Sequence, residues 1–248
     1  MNSADAFTVR LLADAGIGPG QRVLDIGCGT GAVTRMILDR VGATGEVIGV
    51  DRNAEALVAA RTSMAEAGLR NVRFLDADLN ALPAEIGRFD AVVGRRVLMY
   101  QSDAAATLRH LRGALEPGGL VVLHEHDGTA TPIHDAQLPL HEHVHRLFFE
   151  TVRREGADTR MGFNLSSALE AAGFIVDEVR VQATVLSPVM SYPIETIARA
   201  MLPRMIEQGV IVAGELEVEG LDARLAEERR AADATLLWEL VFGVRAHR

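Results

Sequence analysis

The sequence contains no lysine: all 25 of its basic residues are arginine, set against 34 acidic ones. The net charge of −9 and the pI of about 5.4 describe a surface that repels phosphate backbones. That argues against nucleic acid as the main partner and against an anionic membrane surface. The arginine-only usage reads as coding bias from a GC-rich genome and carries no mechanism. A single cysteine, Cys28, is present, so no intrachain disulfide can form, which suits a reducing cytoplasm. Met1 to Arg10 lacks an apolar signal core, and no apolar run reaches the length needed to span a bilayer. A cytoplasmic protein that does not act on membranes is expected. Internal repeats and low-complexity tracts are also lacking.

What is present is enough apolar residue for a full core: 48% of 248 residues, which excludes a disordered chain. The length fits one large α/β domain, taken as 1–248. Ala4 to Ala15 reads as an amphipathic helix with Phe7, Leu11 and Leu12 on one face. Strands are expected at Arg22–Ile26, Glu46–Val50, Val72–Leu75 and Phe89–Val93, with a fifth from Leu120. Helices are expected between them at Ala32–Val41, Ala54–Ala67 and Asp103–Leu115, the last stopped by Pro117-Gly118-Gly119. This alternation predicts βαβ units and a mostly parallel, doubly wound sheet with helices on both faces.

Beyond residue 128 the alternation loosens. Helices are expected at Leu140–Arg154, Asn164–Ala172, Ile194–Glu207 and Glu215–Ala232, with Pro203 kinking or dividing the third. Strands are expected at Phe174–Val185 and Thr235–Val244. The core is therefore placed at about 1–128, 161–187 and 233–248. The segments 129–160 and 188–232 read as helical lid insertions at the strand ends, where open α/β sheets bind ligands.

Gly27, Gly29 and Gly31 lie between a strand and a helix, where glycine lets the backbone turn tightly and approach a ligand. With Ala32 they also satisfy the dinucleotide pattern G-x-G-x-x-G/A, and Asp51 stands about 20 residues on, as that pattern requires. Two acids separate the readings. Asp25 would repel a pyrophosphate, but it suits an ammonium and a sulfonium. Asp78 can accept a bond from an adenine amino group, while the Leu79 N–H serves a ring nitrogen. Each residue also has a plain structural reading. Asp25 can cap the next helix, Asp51 and Asp76 can be turn residues, and Cys28 can be a small packing residue.

The run Val23-Leu24-Asp25-Ile26-Gly27-Cys28-Gly29-Thr30-Gly31 resembles the first motif of the class I S-adenosylmethionine-dependent methyltransferases. The resemblance continues through Val50-Asp51, Phe74-Leu75-Asp76-Ala77-Asp78, Phe89-Asp90-Ala91-Val92-Val93 and Leu115-Glu116-Pro117-Gly118-Gly119. It implies a Rossmann-like seven-stranded sheet whose last strand is antiparallel. It implies S-adenosylmethionine as cofactor, held by Asp25, Gly27, Cys28, Gly29 and Gly31 at its methionine part. Asp51 with Arg52 would lie at the ribose, and Ala77, Asp78 and Leu79 at the adenine. The loop from Gly94 through Arg95 to Arg96 would face the cofactor's amino acid and methyl. The nearest subgroup methylates small molecules of quinone and natural-product pathways.

For the acceptor, His124 and His126 stand at the end of the fifth strand in the run His124-Glu125-His126-Asp127, with Tyr100 after the fourth. Histidine suits general-base work, though polar residues at a wet crevice mouth would look the same. His141-Glu142-His143-Val144-His145 satisfies H-E-x-x-H, but without zincin context no metal is assigned. Arg95, Arg96 and Arg160 could bind an acidic acceptor or pair with nearby acids, and Phe148, Phe149 and Phe163 could wall a pocket or fill a core. The expected activity is methyl transfer to a small-molecule acceptor, with a homodimer an open possibility for the assembly. Two alternatives stand: a cofactor-binding cyclase or other non-methylating homologue, and an NAD-dependent oxidoreductase, which Asp25 and Asp78 disfavour.

Overall fold

The computed structural model describes residues 3–248. Met1 and Asn2, part of the expected domain and of the N-terminal segment, lie outside the described residues. The chain runs α1 (Ser3–Asp14), β1 (Arg22–Ile26), α2 (Ala32–Val41), β2 (Glu46–Asp51), α3 (Ala54–Glu66), β3 (Val72–Asp76), β4 (Phe89–Arg95), α4 (Ala104–Gly113) and β5 (Leu115–Asp127). It continues with α5 (Pro139–Arg154), α6 (Met161–Ala171), β6 (Ile175–Leu186), α7 (Ile194–Glu207), α8 (Leu221–Ala231) and β7 (Leu236–His247). The seven strands form one sheet in the order β3-β2-β1-β4-β5-β7-β6.

β1 pairs in parallel with β2 and β4, and β3 and β5 extend the parallel ladder on either side. β7 runs the other way. The Arg248 N–H donates to Gly119 O near the start of β5, while Glu239 meets His126 near the end of β5. Numbers that fall along one strand as they rise along the other define an antiparallel pair. β1 reads Val23, Leu24, Ile26 because a central parallel strand is covered on both faces; all three are fully buried. The chain reverses its lateral direction between β3 and β4, so a crevice is expected beyond the carboxyl ends of β1 and β4.

The chain packs as two compact units. The first holds residues up to Glu125, Met161–Val181 and Val241–Arg248. Its core gathers Phe7, Leu11 and Leu12 of α1, Ile37 and Val41 of α2, Val23 and Val47. Each buried aliphatic side chain contributes ~1.5–3 kcal/mol. The second holds His126–Arg160 and Gln182–Leu240. Val144, Leu147 and Phe148 of α5 pack there with Ile194, Ala198 and Met205 of α7, Leu221 and Leu225 of α8, and Trp238.

Three elements differ from the sequence reading. Leu115 begins β5 rather than ending α4, and the Pro117-Gly118-Gly119 run lies inside that strand. The register steps from Phe89↔Leu115 to Ala91↔Leu120, so the run forms a bulge that absorbs the extra residues. α7 passes through Pro203 undivided, because its buried face, Ile194, Ala198 and Met205, continues on both sides of it. α8 starts at Leu221, not Glu215. Leu216 and Val218 enter the core at a spacing of two, which a helix cannot provide, and Gly220 in the left-handed region (φ 67°) precedes the helix.

Candidate functional site

A cleft of about 240 Å³ opens beyond the carboxyl ends of the first four strands. Gly27 follows β1; Val50 and Asp51 end β2 and Arg52 follows it; Ala77 and Leu79 follow β3; Arg96, Val97, Tyr100 and Gln101 follow β4. This is the position that the reversal of strand order predicts.

Gly27 is set by sterics twice over. Its φ of 60° lies in the left-handed region, and an added Cβ would fall 2.6 Å from Val97 Cγ2. Gly31, at φ 88°, opens α2 where a Cβ would come 3.1 Å from Met64 Cε of α3. The glycines therefore bring the loop close to both the β4 turn and α3.

Asp51 sits half-buried in the cleft. Its Oδ2 accepts from Gly29 N–H at 2.8 Å and its Oδ1 from Asn53 N–H at 2.9 Å. A carboxylate has about four lone-pair sites, so acceptor capacity remains after these two bonds. Leu79 is buried at the cleft wall. Asp78 is not among the lining residues. Its Oδ1 accepts from Asn80 N–H at 2.8 Å, and its Oδ2 faces the exposed Arg52 guanidinium at 3.5 Å. The Asn80 backbone bond and these neighbours hold its carboxyl below the usual range.

Asp25 is buried behind the loop rather than in its lining. Thr34 of α2 donates its hydroxyl proton to Asp25 Oδ2 at 2.5 Å. Burial dominates and raises the carboxyl to about 7, against the Thr34 bond and Arg95, which lower it, and with nearby Asp51, which raises it. Cys28 is buried too, and burial with Asp25 and Asp51 pushes its thiol well up, so it is a neutral packing group rather than a nucleophile. Gly94 is a packing position: a Cβ there would meet Ile26 at 2.7 Å and Val97 at 2.9 Å. Arg95 turns to α1, donating to Asp5 Oδ1 at 2.8 Å and to Thr8 Oγ1 at 3.3 Å.

The acceptor candidates are placed unevenly. Tyr100 lines the cleft and is 39% exposed. His124 is buried outside the lining, its ring edge-on to Phe7 at 5.2 Å. Its Nδ1 lies 2.9 Å from Thr8 Oγ1. The Thr8 hydroxyl donates to Ala4 O, so His124 Nδ1 carries the proton in their contact. His126 is buried in the second unit with Nδ1 2.7 Å from Glu239 Oε1.

The H-E-x-x-H histidines do not converge. His141 Nδ1 meets Glu228 Oε2 at 2.6 Å and its Nε2 meets Arg229 Nη1 at 2.8 Å. His145 Nε2 meets Thr131 Oγ1 at 3.0 Å. Arginine only donates, so His141 Nε2 accepts and its Nδ1–H points to Glu228. Phe148 packs edge-on to Trp238, Phe149 fills the space above Gly128 beside His145, and Phe163 stacks with Phe242 at 4.8 Å. Phe148 is a core residue, Phe149 lines a second cleft with Gly128, Thr131 and His145, and Phe163 is exposed.

One group escaped the sequence reading. Glu125 lies between the two histidines and is fully buried, with Oε1 accepting from Val97 N–H at 2.9 Å and Leu98 N–H at 2.8 Å. Burial raises its carboxyl to about 7, against the backbone bonds of Leu98, Val97 and Met99 and the charge of Arg96. The available signal was an acid directly after the apolar run Leu120 to Leu123, where a buried carboxylate must find partners.

A family model described as a methyltransferase domain matches residues 17–173. The chain is 37% identical over 131 residues to the ubiquinone/menaquinone biosynthesis C-methyltransferase UbiE of Ectopseudomonas mendocina, covering 51% of this chain and 49% of that protein. It is 32% identical over 148 residues to the demethylmenaquinone methyltransferase of Lactococcus lactis, covering 60% and 56%. The chain thus spans about half the length of the curated relatives it matches. The crystal structure of the YcgJ protein of Bacillus subtilis superposes with a TM-score of 0.63 over 99% of this chain and 97% of that one, at 16% identity. That likeness concerns the fold.

Proposed function

The chain belongs to the methyltransferase-domain family, and from that premise we propose that it moves the methyl group of S-adenosylmethionine to a small, partly apolar acceptor. The observation that carries the reading is the cleft at the carboxyl ends of β1 to β4, with Gly27, Asp51, Ala77 and Leu79 in its lining. The residues present fit the cofactor. Asp51 keeps acceptor capacity for a ribose diol beyond its two backbone bonds. Gly27 presents bare backbone where a side chain would clash. Buried Leu79 offers an apolar wall and a backbone N–H for adenine. Asp25 braces the loop through Thr34 and supplies negative potential toward a cationic ligand.

A cofactor held there would supply a methyl already activated by a sulfonium; the acceptor would take that methyl in line as its bond to sulfur breaks, with S-adenosylhomocysteine as the leaving group. The chain's task is alignment and exclusion of water, worth up to ~7–11 kcal/mol in favourable cases. Arg96, Tyr100 and Gln101 are the polar residues that the β4 turn contributes to the cleft, and in this reading Tyr100 and Arg96 orient the acceptor. His124 and His126 are engaged at Nδ1 by Thr8 and Glu239 and stand outside the cleft lining, so neither is given the general-base role in this reading. One named relative is a C-methyltransferase of ubiquinone/menaquinone biosynthesis and the other a demethylmenaquinone methyltransferase, and a planar ring acceptor is the class we favour.

Calorimetric titration tests the reading: S-adenosylmethionine and S-adenosylhomocysteine bind and NADH does not. Mass spectrometry of the turned-over acceptor then shows one added CH₂. Turnover that left the cofactor unchanged would refute methyl transfer and point to the cyclase alternative.

A further inference from the structure

Four residues of the β4 turn, Arg96, Val97, Tyr100 and Gln101, line the cleft, yet little in their own sequence holds them there. Leu98–Tyr100 is a single 3₁₀ turn whose N-cap, Val97, has no capping side chain. The first N–H groups of such a turn have no partner within it, and here they are buried. Arg96 sits at φ 56°, a region that a non-glycine residue occupies only when its surroundings impose it.

The imposing group is the end of β5. His124 O accepts from Arg96 N–H at 2.9 Å. Glu125 Oε1 accepts from Val97 and Leu98 at 2.9 and 2.8 Å. One carboxylate, 27 residues or more away in sequence, thus caps two successive amides. Its other oxygen, Oε2, is buried without a hydrogen-bond partner. A buried unsatisfied oxygen is unfavourable, and an apolar residue at 125 would instead orphan two amides. The turn in turn wedges the Val97 side chain into the space left by Gly27 and Gly94. Glycine loop, β4 turn and β5 end therefore form one interlocked block.

We propose that Glu125 is a positioning residue: by capping the β4 turn it holds Arg96, Val97 and Tyr100 against the glycine loop, and so forms the cleft wall before any ligand binds. The proposal rests on the functional reading only for the identity of the ligand. Its central claim is local: without this carboxyl the wall of the cleft comes loose while the sheet remains.

The test compares full-length Glu125→Ala, Glu125→Gln and wild type by amide exchange with mass spectrometry, and by calorimetric titration with S-adenosylhomocysteine. Glu125→Ala is expected to lose protection over residues 96–101 by at least ~10-fold while β1, β2 and β4 keep theirs, and to bind S-adenosylhomocysteine at least ~10-fold more weakly. Glu125→Gln keeps the accepting oxygen, so it is expected to stay within ~3-fold of wild type in both measurements. Should Glu125→Ala fail to fold, Glu125→Asp carries the same expectation, because it withdraws the oxygens by one methylene. Unchanged exchange over 96–101 in the Ala variant would overturn the proposal, as would a Gln variant as impaired as the Ala variant. A wild type that binds no S-adenosylhomocysteine defeats the functional reading alone, since the exchange measurement still decides the positioning role.

Discussion

Replacing Asp25 by Asn should stabilise the ligand-free protein at high pH and do little at low pH. Asp25 is 1% exposed, and its carboxyl is raised from 3.8 to about 7. A group whose folded pKa lies above its unfolded one binds protons more tightly in the folded state. Its contribution is therefore complete below pH ~4 and is lost as pH rises through 7. Each unit is worth 1.36 kcal/mol, so ionising Asp25 costs the fold on the order of 4 kcal/mol above pH 7. Between pH 5 and pH 8 the remaining part of that cost is about 2–3 kcal/mol. Asn is nearly isosteric, offers Thr34 the same acceptor and does not titrate. Urea unfolding followed by circular dichroism, at half-unit intervals over that range, should show the Asn variant gaining on wild type by roughly that amount. The difference between variants isolates Asp25, because every other titrating group is common to both. A difference that stayed flat or fell with pH would refute the buried-acid account. If Asp25 also faces the cationic cofactor, the same variant binds S-adenosylmethionine more weakly.

Three further outcomes follow from the geometry. Asp51→Ala removes the acceptor in the cleft and the partner of the Gly29 N–H, and should weaken S-adenosylmethionine binding by roughly 1.5–3 kcal/mol in calorimetry; an unchanged dissociation constant would show that Asp51 does not touch the ligand. In the second unit the sign of pH dependence reverses. Burial lowers His145 from 6.5 to about 4, so its contribution holds above pH 6.5 and is lost as pH falls toward 4, by about 3 kcal/mol. His145→Phe should therefore flatten the acid limb of the stability profile. Glu228 Oε1 and Oε2 accept from Leu140 and His141 N–H at the start of α5. Glu228→Ala should cost about 1–2 kcal/mol of stability as a lost cap, with the loss read as a shift in thermal midpoint, and a neutral result would mean that water replaces it.

The first half of the chain was legible because its signals are local. β1 and α2 run at the positions that apolar patterning and the glycine loop prescribe, since parallel strands buried on both faces leave continuous apolar runs. The boundaries that failed were set at a distance. The Pro117 bulge depends on β4, and the start of α8 depends on which residues the second core accepts. Site residues divided in the same way. Gly27, Asp51 and Leu79 reach the cleft because a strand end aims them there. Arg95 leaves it for Asp5, some 90 residues away, and His124 leaves it for Thr8. Those partners lie on α1, whose sequence shows only its apolar face. The histidine-rich run drew attention to ring nitrogens, whereas the group that shapes the cleft is the carboxylate between them.

Cys28 has a use that its inertness creates. Its thiol is the chain's only one, is buried at 6% exposure, and sits in the glycine loop where a Cβ on Gly49 would touch its sulfur. A thiol reagent can reach it only when that loop lifts from β2. Alkylation kinetics in the native buffer thus count the openings of one loop, with no engineered label and no second cysteine to confuse the signal. A ligand that seats on Gly27 and Asp51 should slow that clock, and the ratio of rates gives its occupancy even for a compound that leaves no heat and undergoes no turnover.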